Sequence, residues 1–273
     1  MMSKVAFQGE RGAFSEDAVV KFFGEGAAFL PCAQFRDVFQ TVLEDKANFG
    51  VVPVENSQAG SINETYDLLL EYPLNIFAEI ILRISHCLMA LPGESLGSIK
   101  TIYSHPQALA QCEQFLRKLK VNIIPGYDTA GSAKMISEGE LKGCAAVASK
   151  RAADIYGLQI LAPKIENNRD NYTKFFAISQ QESKLTRKSK TSLVFGTKNV
   201  PGALYSVLGI FATQNINLTK LESRPSKNKP WEYIFYVDFE GHLGSKVYRE
   251  AIERLKQEAT FIKILGSYPQ WEQ

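Results

Sequence analysis

The sequence predicts an α/β protein in two parts. A catalytic-sized domain carries a mostly parallel sheet in two lobes around a cleft, and a smaller βαββαβ, ferredoxin-like domain follows it. Three observations predict this. Short apolar runs alternate with stretches of helical period over about the first 180 residues. The composition breaks at Gln180–Lys190, a polar and charged run without an aromatic residue. Beyond that break the order of elements changes to strand–helix–strand–strand–helix–strand. The domains are therefore expected at 1–180 and 191–273, with 181–190 as linker.

The bulk numbers fit two soluble globular domains: 273 residues, 45% hydrophobic and 22% charged. A net charge of +2, from 31 basic and 29 acidic residues, excludes a global electrostatic case for nucleic acid or membrane. No apolar run reaches the ~18 residues of a membrane span. Met1-Met2-Ser3-Lys4 enters Val5-Ala6-Phe7 directly, without the pattern of a secretory signal, so a cytoplasmic protein is expected. Cys32, Cys87, Cys112 and Cys144 form no C-x-x-C pair and read as small core residues. Their spacing from His86, His105 and His242 gives no metal-ligand pattern.

Val5-Ala6-Phe7 is a short buried strand running into Gln8–Ser15. Gly9 and Gly12 permit a tight turn there, and Ser15 with Glu16 and Asp17 reads as a helix N-cap and first turn. Strand, glycine turn and helix N-terminus can bind an anion, although no G-x-G-x-x-G or Walker lysine is present and a plain βα turn gives the same pattern. Gln34–Asp45 repeats apolar residues at helical spacing, and Phe49–Val54 is a buried strand. Glu55–Ser61 follows, and Ser61-Ile62-Asn63-Glu64 fits a capping box for a helix over Ile62–Tyr72. A capped helix needs Ser61 and Glu64 but not Glu55, Asn56 and Ser57, so this loop is a candidate for the cleft.

Leu74–Ile84 and Cys87–Leu91 are extended and read as the crossover to a second lobe. There Thr101–Ser104 is a strand, and Pro106 sits at the start of a helix through Leu119. Val121–Ile124 is a strand, and Asp128–Ser132 opens another helix with cap-type residues. Cys144–Ala148 is a small-residue strand, after which Ser149 opens the helix through Tyr156. The stretch Asn171-Tyr172-Thr173-Lys174-Phe175 then sets polar groups ahead of the apolar Phe175–Ile178, as a cleft floor or as a polar loop entering a core strand. Loops from both halves can converge, and their helix N-termini favour an anionic ligand.

After the linker, Thr191–Gly196 is a strand, and Pro201–Leu204 opens a helix to Gln214. Ile216–Glu222 and Trp231–Phe239 are strands, Gly244–Glu258 is a helix, and Phe261–Tyr268 is the last strand.

The first domain resembles prephenate dehydratase along nearly all its length. The residues that carry this are Gly9–Ser15, Val52–Ser57 with Gly60-Ser61, Ser104–Leu109, Asp128–Ala133, Ala146–Ser149 and Asn171–Phe175. The tail resembles an ACT regulatory domain of the phenylalanine-sensing kind through Gly202-Ala203-Leu204, Asn217-Leu218-Thr219 and Glu222-Ser223-Arg224-Pro225. The resemblance implies a type 2 periplasmic-binding-protein-like catalytic fold. It implies conversion of prephenate to phenylpyruvate, water and carbon dioxide in phenylalanine biosynthesis. No cofactor and no metal are expected, phenylalanine acts at ACT–ACT interfaces, and the assembly is a homodimer or homotetramer. Thr173 matches the family's essential threonine, with Lys174 beside it as a substrate cation. Gly12, Ser15, Asn56, Ser57, Gly60, Ser61, Thr129, Ser149, Asn171 and Phe175 are the expected substrate contacts. Gly202, Ala203, Leu204, Asn217, Leu218, Leu221, Glu222, Ser223 and Arg224 are the expected phenylalanine site.

The chain departs from the family at Lys174, where arginine is usual; lysine keeps the charge and loses the bidentate fork. Two other readings stay open on the residues: an arogenate dehydratase, and an amino-acid-sensing binding protein that keeps the fold without catalysis.

Overall fold

The computed structural model describes residues 3–226 and 232–272. The chain forms two compact units, Met1–Thr65 with Ile80–Phe175 and Tyr66–Glu79 with Phe176–Gln273. No helix of the described residues is long and apolar enough to cross a membrane.

The first sheet is built from β1 (Lys4–Gln8), β2 (Ala28–Cys32), β3 (Phe49–Asn56), the two-residue β4 (Gly60–Ser61), β5 (Asn75–Arg83) and β11 (Tyr172–Ser179). Its order is β2-β1-β3-β11-β5, with β4 folding back on β3. Helices α1 (Phe14–Phe23), α2 (Phe35–Leu43) and α3 (Asn63–Glu71) connect these strands. The second sheet holds β6 (Cys87–Ala90), β7 (Thr101–Ser104), β8 (Asn122–Pro125), β9 (Cys144–Ala148) and β10 (Gln159–Ala162), in the order β10-β6-β9-β7-β8. Its helices are α4 (Pro106–Gln111), α5 (Glu113–Leu116), α6 (Thr129–Glu138) and α7 (Lys150–Tyr156).

Both sheets follow one plan. Three strands lie second-first-third with parallel neighbours, β2-β1-β3 and β8-β7-β9. Next comes a strand delivered by a crossing of the chain, β11 or β6, and then an outer strand, β5 or β10. Two sheets of one plan joined by two crossings make the expected two-lobed architecture.

The sequence of β9 explains how closely its lobe packs. Ala146 and Ala148 face Ala130, Ala133 and Ile136 of α6 and Ala152 of α7. Ala145 and Val147 face Leu109, Cys112 and Leu116 on the other side. A strand covered on both faces tolerates no polar alternation, and its small side chains let the helices approach. Among the cysteines, Cys87 and Cys112 are buried and all four are free thiols.

Three local expectations are corrected. Helix α1 starts at Phe14 with Ala13 as its cap, so Ser15 sits inside the first turn. The fully buried Glu16 carboxylate takes the Gly12 N–H at 2.6 Å and pairs with Arg11, which fixes the cap two residues earlier. Ser61 pairs with Glu55 in β4, and α3 begins at Asn63. The single helix expected over Gln107–Leu119 is broken at Cys112 into α4, α5 and a 3-10 turn over Arg117–Leu119.

In the second unit β12 (Ser189–Gly196), α8 (Ala203–Thr213), β13 (Leu218–Pro225), β14 (Tyr233–Glu240), α9 (Lys246–Glu258) and β15 (Phe261–Pro269) give the βαββαβ order. The sheet order β13-β14-β12-β15 is that of a ferredoxin-like fold. Trp231, expected to open β14, lies outside the described residues. Leu193, Phe195, Val237 and Phe239 face Val207 and Phe211 of α8 and Ala251, Ile252 and Leu255 of α9.

The other face of this sheet meets 66–79. Lys263 Nζ donates to the carbonyls of Leu69, Leu70 and Tyr72 at 2.9, 2.7 and 2.7 Å, capping the C-terminus of α3 with a cation. Arg224 pairs with Asp67 at 2.7 Å, the Tyr236 hydroxyl donates to the Tyr66 carbonyl at 3.1 Å, and the Lys220 ammonium lies 5.1 Å from the Tyr66 ring centroid.

Candidate active site

A cavity of about 360 Å³ opens between the lobes of the first unit. Three helix starts reach it: Ala13, Phe14 and Ser15 at α1; His105, Gln107 and Ala108 at α4; Asp128 and Thr129 at α6. Apolar surface comes from Phe35, Pro53, Ile62, Ile84 and Phe175, and polar groups from Gln8, Asn56, His86, Gln111, Tyr127 and Thr173. Among these lining residues there is no lysine or arginine, so what the wall offers an anion is helix N-termini and neutral donors. Asp128 is the acid in the wall. It caps α6 by accepting the Gly131 N–H at 3.0 Å, and burial holds its carboxyl above the ordinary range.

The floor is a hydrogen-bond chain whose polarity is fixed from one end. The Gln58 and Ala59 N–H groups donate to Asn56 Oδ1 at 3.1 and 3.0 Å. Asn56 Nδ2 is therefore the donor, to Asn171 Oδ1 at 2.8 Å and to Thr173 Oγ1 at 2.9 Å. Because Thr173 accepts from Asn56, its own hydroxyl hydrogen is left for a partner elsewhere. Asn171 Nδ2 in turn donates to Gln111 Oε1 at 3.0 Å, and the same oxygen lies 2.9 Å from His86 Nε2. Asn56, Asn171 and Thr173 are all buried, which makes an unpaired member costly and the ordering strict.

The structure brings Ser15, Asn56, Thr129, Thr173 and Phe175 to the cavity, with Asn171 one bond behind it. Ser57 stands outside: its hydroxyl donates to the Asp170 carbonyl at 3.2 Å and accepts the Tyr172 N–H at 3.0 Å, tying the hairpin to β11. Gly60 and Ser61 form the return strand of that hairpin. Ser149 caps α7 through the Ala152 N–H and donates to the Gly12 carbonyl at 2.6 Å, so its hydroxyl hydrogen is spent on joining the lobes. Gly12, at φ +84°, lies where a Cβ would come within 2.7 Å of the Ala152 Cα, so it serves close lobe contact rather than ligand contact.

Lys174 is placed differently from the expectation. Alternation along β11 turns Thr173 and Phe175 into the cavity and Lys174 to the opposite face, where its Nζ meets Glu55 at 3.3 Å. It is not a cation facing the cavity. The lobes are joined by other charges: Lys134 pairs with Glu10 at 3.0 Å, and Arg151 with Asp17 and Glu25, each at 2.7 Å. The larger depression around Arg151, about 460 Å³, is lined by Asp17, Glu25, Lys150, Arg151, Asp154 and Ile155 and lies outside the floor network.

His86, Gln111, Gln8, His105 and Tyr127 were not singled out from the sequence. Gln107, Ala108 and Gln111 share one face of α4, so the polar pair at i and i+4 was the available signal. His86 offered none, being one histidine ahead of an apolar strand.

Residues 5–183 match the prephenate dehydratase family model, and residues 191–258 match the ACT domain model. The chain belongs to the prephenate dehydratase family. It is 44% identical over 269 residues to a bifunctional chorismate mutase/prephenate dehydratase of Aquifex aeolicus (strain VF5), covering 97% of this chain and 73% of that protein. It is 43% identical over 277 residues to arogenate dehydratase/prephenate dehydratase 2, chloroplastic, of Arabidopsis thaliana, covering 97% and 72%. The prephenate dehydratase of Arthrobacter aurescens, solved in complex with L-Phe, superposes with a TM-score of 0.89 at 31% identity, over 97% of this chain and 89% of that one. A structure described as a novel type of quorum quenching acylase also superposes with a TM-score of 0.89, at 35% identity over 98% of both chains. As a prephenate dehydratase family member, the chain is a lyase carrying an ACT domain.

In the ACT domain of this dehydratase, β13 divides the expected phenylalanine residues between two faces. Leu218, Leu221 and Ser223 pair across from Phe239, Val237 and Phe235, on the face that carries α8 with Gly202, Ala203 and Leu204 at its start. Asn217 is exposed just ahead of the strand. Glu222 and Arg224 point to the other face, where Glu222 pairs with Lys220 at 2.9 Å and Arg224 with Asp67.

Proposed function

We propose that the enzyme converts prephenate to phenylpyruvate, carbon dioxide and water at the floor of this cavity. The observation that carries the reading is the Thr173 hydroxyl, which accepts from Asn56 and is therefore oriented as a donor. As the ring carboxylate leaves as carbon dioxide, its bonding pair completes the aromatic ring and the ring hydroxyl departs. A hydrogen bond from Thr173 to that oxygen assists the departure, and a threonine hydroxyl orients or relays rather than acting as a strong acid. The three helix N-termini receive the two carboxylates, and a walled cavity holds the reacting geometry.

Arogenate is the second reading, favoured by Asp128. A carboxylate in a wall without lysine or arginine suits an ammonium better than a ketone. We also propose that phenylalanine binds where Leu218, Leu221 and Ser223 face the start of α8. There the exposed Tyr205 and Leu221 beside edge strand β13 make a surface for a second copy of the chain. The test is product formation from prephenate and from arogenate, with and without phenylalanine. Phenylpyruvate from prephenate, reduced by phenylalanine, is the expected result, and no product from either substrate overturns the reading.

A further inference from the structure

We propose that His86 delivers, through Nδ1, the proton that the dehydration consumes. The inference rests on the dehydratase reading and goes beyond it by naming the acid.

The polarity of the floor fixes which nitrogen is available. Gln111 Oε1 already accepts from Asn171 Nδ2 and can only accept. His86 Nε2, 2.9 Å from the same oxygen, must therefore carry hydrogen. In the neutral ring this leaves Nδ1 as a bare lone pair. That atom is buried and finds no hydrogen-bond partner among the described residues, in a residue only 2% exposed. The imidazole lines the same cavity as Thr173. An unpartnered buried acceptor costs on the order of 1–3 kcal/mol, and unlike other such atoms this one belongs to a ring that lines the cavity, where a proton loaded on it has a recipient.

The reaction supplies the demand. The prephenate dianion takes up one proton and gives the phenylpyruvate anion, carbon dioxide and water. The electron pair of the ring–carboxylate bond enters the ring, the carbon–oxygen bond breaks with its pair on oxygen, and that oxygen takes the proton. Protonating Nδ1 leaves the Nε2–H bond to Gln111 intact, so the ring can load and release a proton without turning.

Burial keeps the free imidazole neutral, while the Gln111 bond and the charge of Glu166 pull the other way. The Glu166 carboxylate accepts the backbone N–H of His86 at 2.9 Å, Phe14 packs edge-on from α1, and Asp128, His105 and Tyr127 share the cavity wall. A bound dianion adds negative charge to this set and raises the imidazole's affinity for a proton.

The test measures kcat and KM for prephenate against pH in the full chain, for the wild type, His86→Gln and Gln111→Glu. In the wild type kcat is expected to fall on the alkaline side as the imidazolium of the complex is lost. His86→Gln is expected to lose ~10²-fold or more in kcat with little change in KM, and to lose that limb. In Gln111→Glu, a carboxylate against Nε2–H holds the imidazolium, so the limb moves to higher pH. That variant gives an independent readout if His86→Gln does not fold. Wild-type kcat in folded His86→Gln, or an unmoved limb in Gln111→Glu, overturns the proposal. An inactive wild type overturns the dehydratase reading itself.

Discussion

At the residue scale, one hydroxyl and one ammonium show how strand parity decides roles. Thr173 and Lys174 are neighbours, yet only Thr173 faces the cavity. The charge of Lys174 is legible in the sequence, but its direction depends on the register of β11, which no single stretch specifies. Its partner Glu55 sits on the hairpin that presents Asn56, so Lys174 is placed to support the hairpin and not on the cavity wall. A half-exposed pair of this kind contributes on the order of 1 kcal/mol or less. Lys174→Ala is therefore expected to keep KM for prephenate within about threefold and to melt slightly lower. Steady-state kinetics beside a thermal melt check this; a KM raised a hundredfold at full stability restores the cation role.

At the scale of elements, the helix caps were the most legible features. Asp128 and Ser149 sit one residue before α6 and α7, and Pro106 opens α4, because cap chemistry is local. The start of α1 lies ahead of Ser15 because the buried Glu16 carboxylate, bonded to Arg11 and to the Gly12 N–H in the turn just before the helix, outweighs the capping preference of Ser15. Helix α3 carries a consequence for regulation. It follows directly on the hairpin that holds Asn56, and residues on β13 and β15 grip it through Arg224–Asp67 and through Lys263 at its C-terminus. Effector binding beside β13 can bias α3 through these contacts. Asp67→Ala is expected to leave turnover without phenylalanine near wild type and to reduce the phenylalanine effect by the equivalent of ~0.5–2 kcal/mol. Inhibition curves measure this, and an unchanged phenylalanine response would remove the pair from the coupling.

At the scale of the whole molecule, the alternation of strands and helices and the break near 180–190 were enough to foresee both folds. The boundaries of the compact units were not foreseeable, because the grouping of 66–79 with 176–273 rests on contacts between residues over a hundred positions apart. The same holds for the floor. Asn56, Gln111, Asn171 and His86 come from four separate segments, and only the fold gathers them into one chain of hydrogen bonds. The central claim is that this chain exists to aim the Thr173 hydroxyl. The most direct test is prephenate turnover by Thr173→Ser and Thr173→Val, which keep the hydroxyl or the shape respectively. Thr173→Ser should stay within about tenfold of wild type, and folded Thr173→Val should lose at least ~10²-fold in kcat. Wild-type turnover by Thr173→Val would contradict the account.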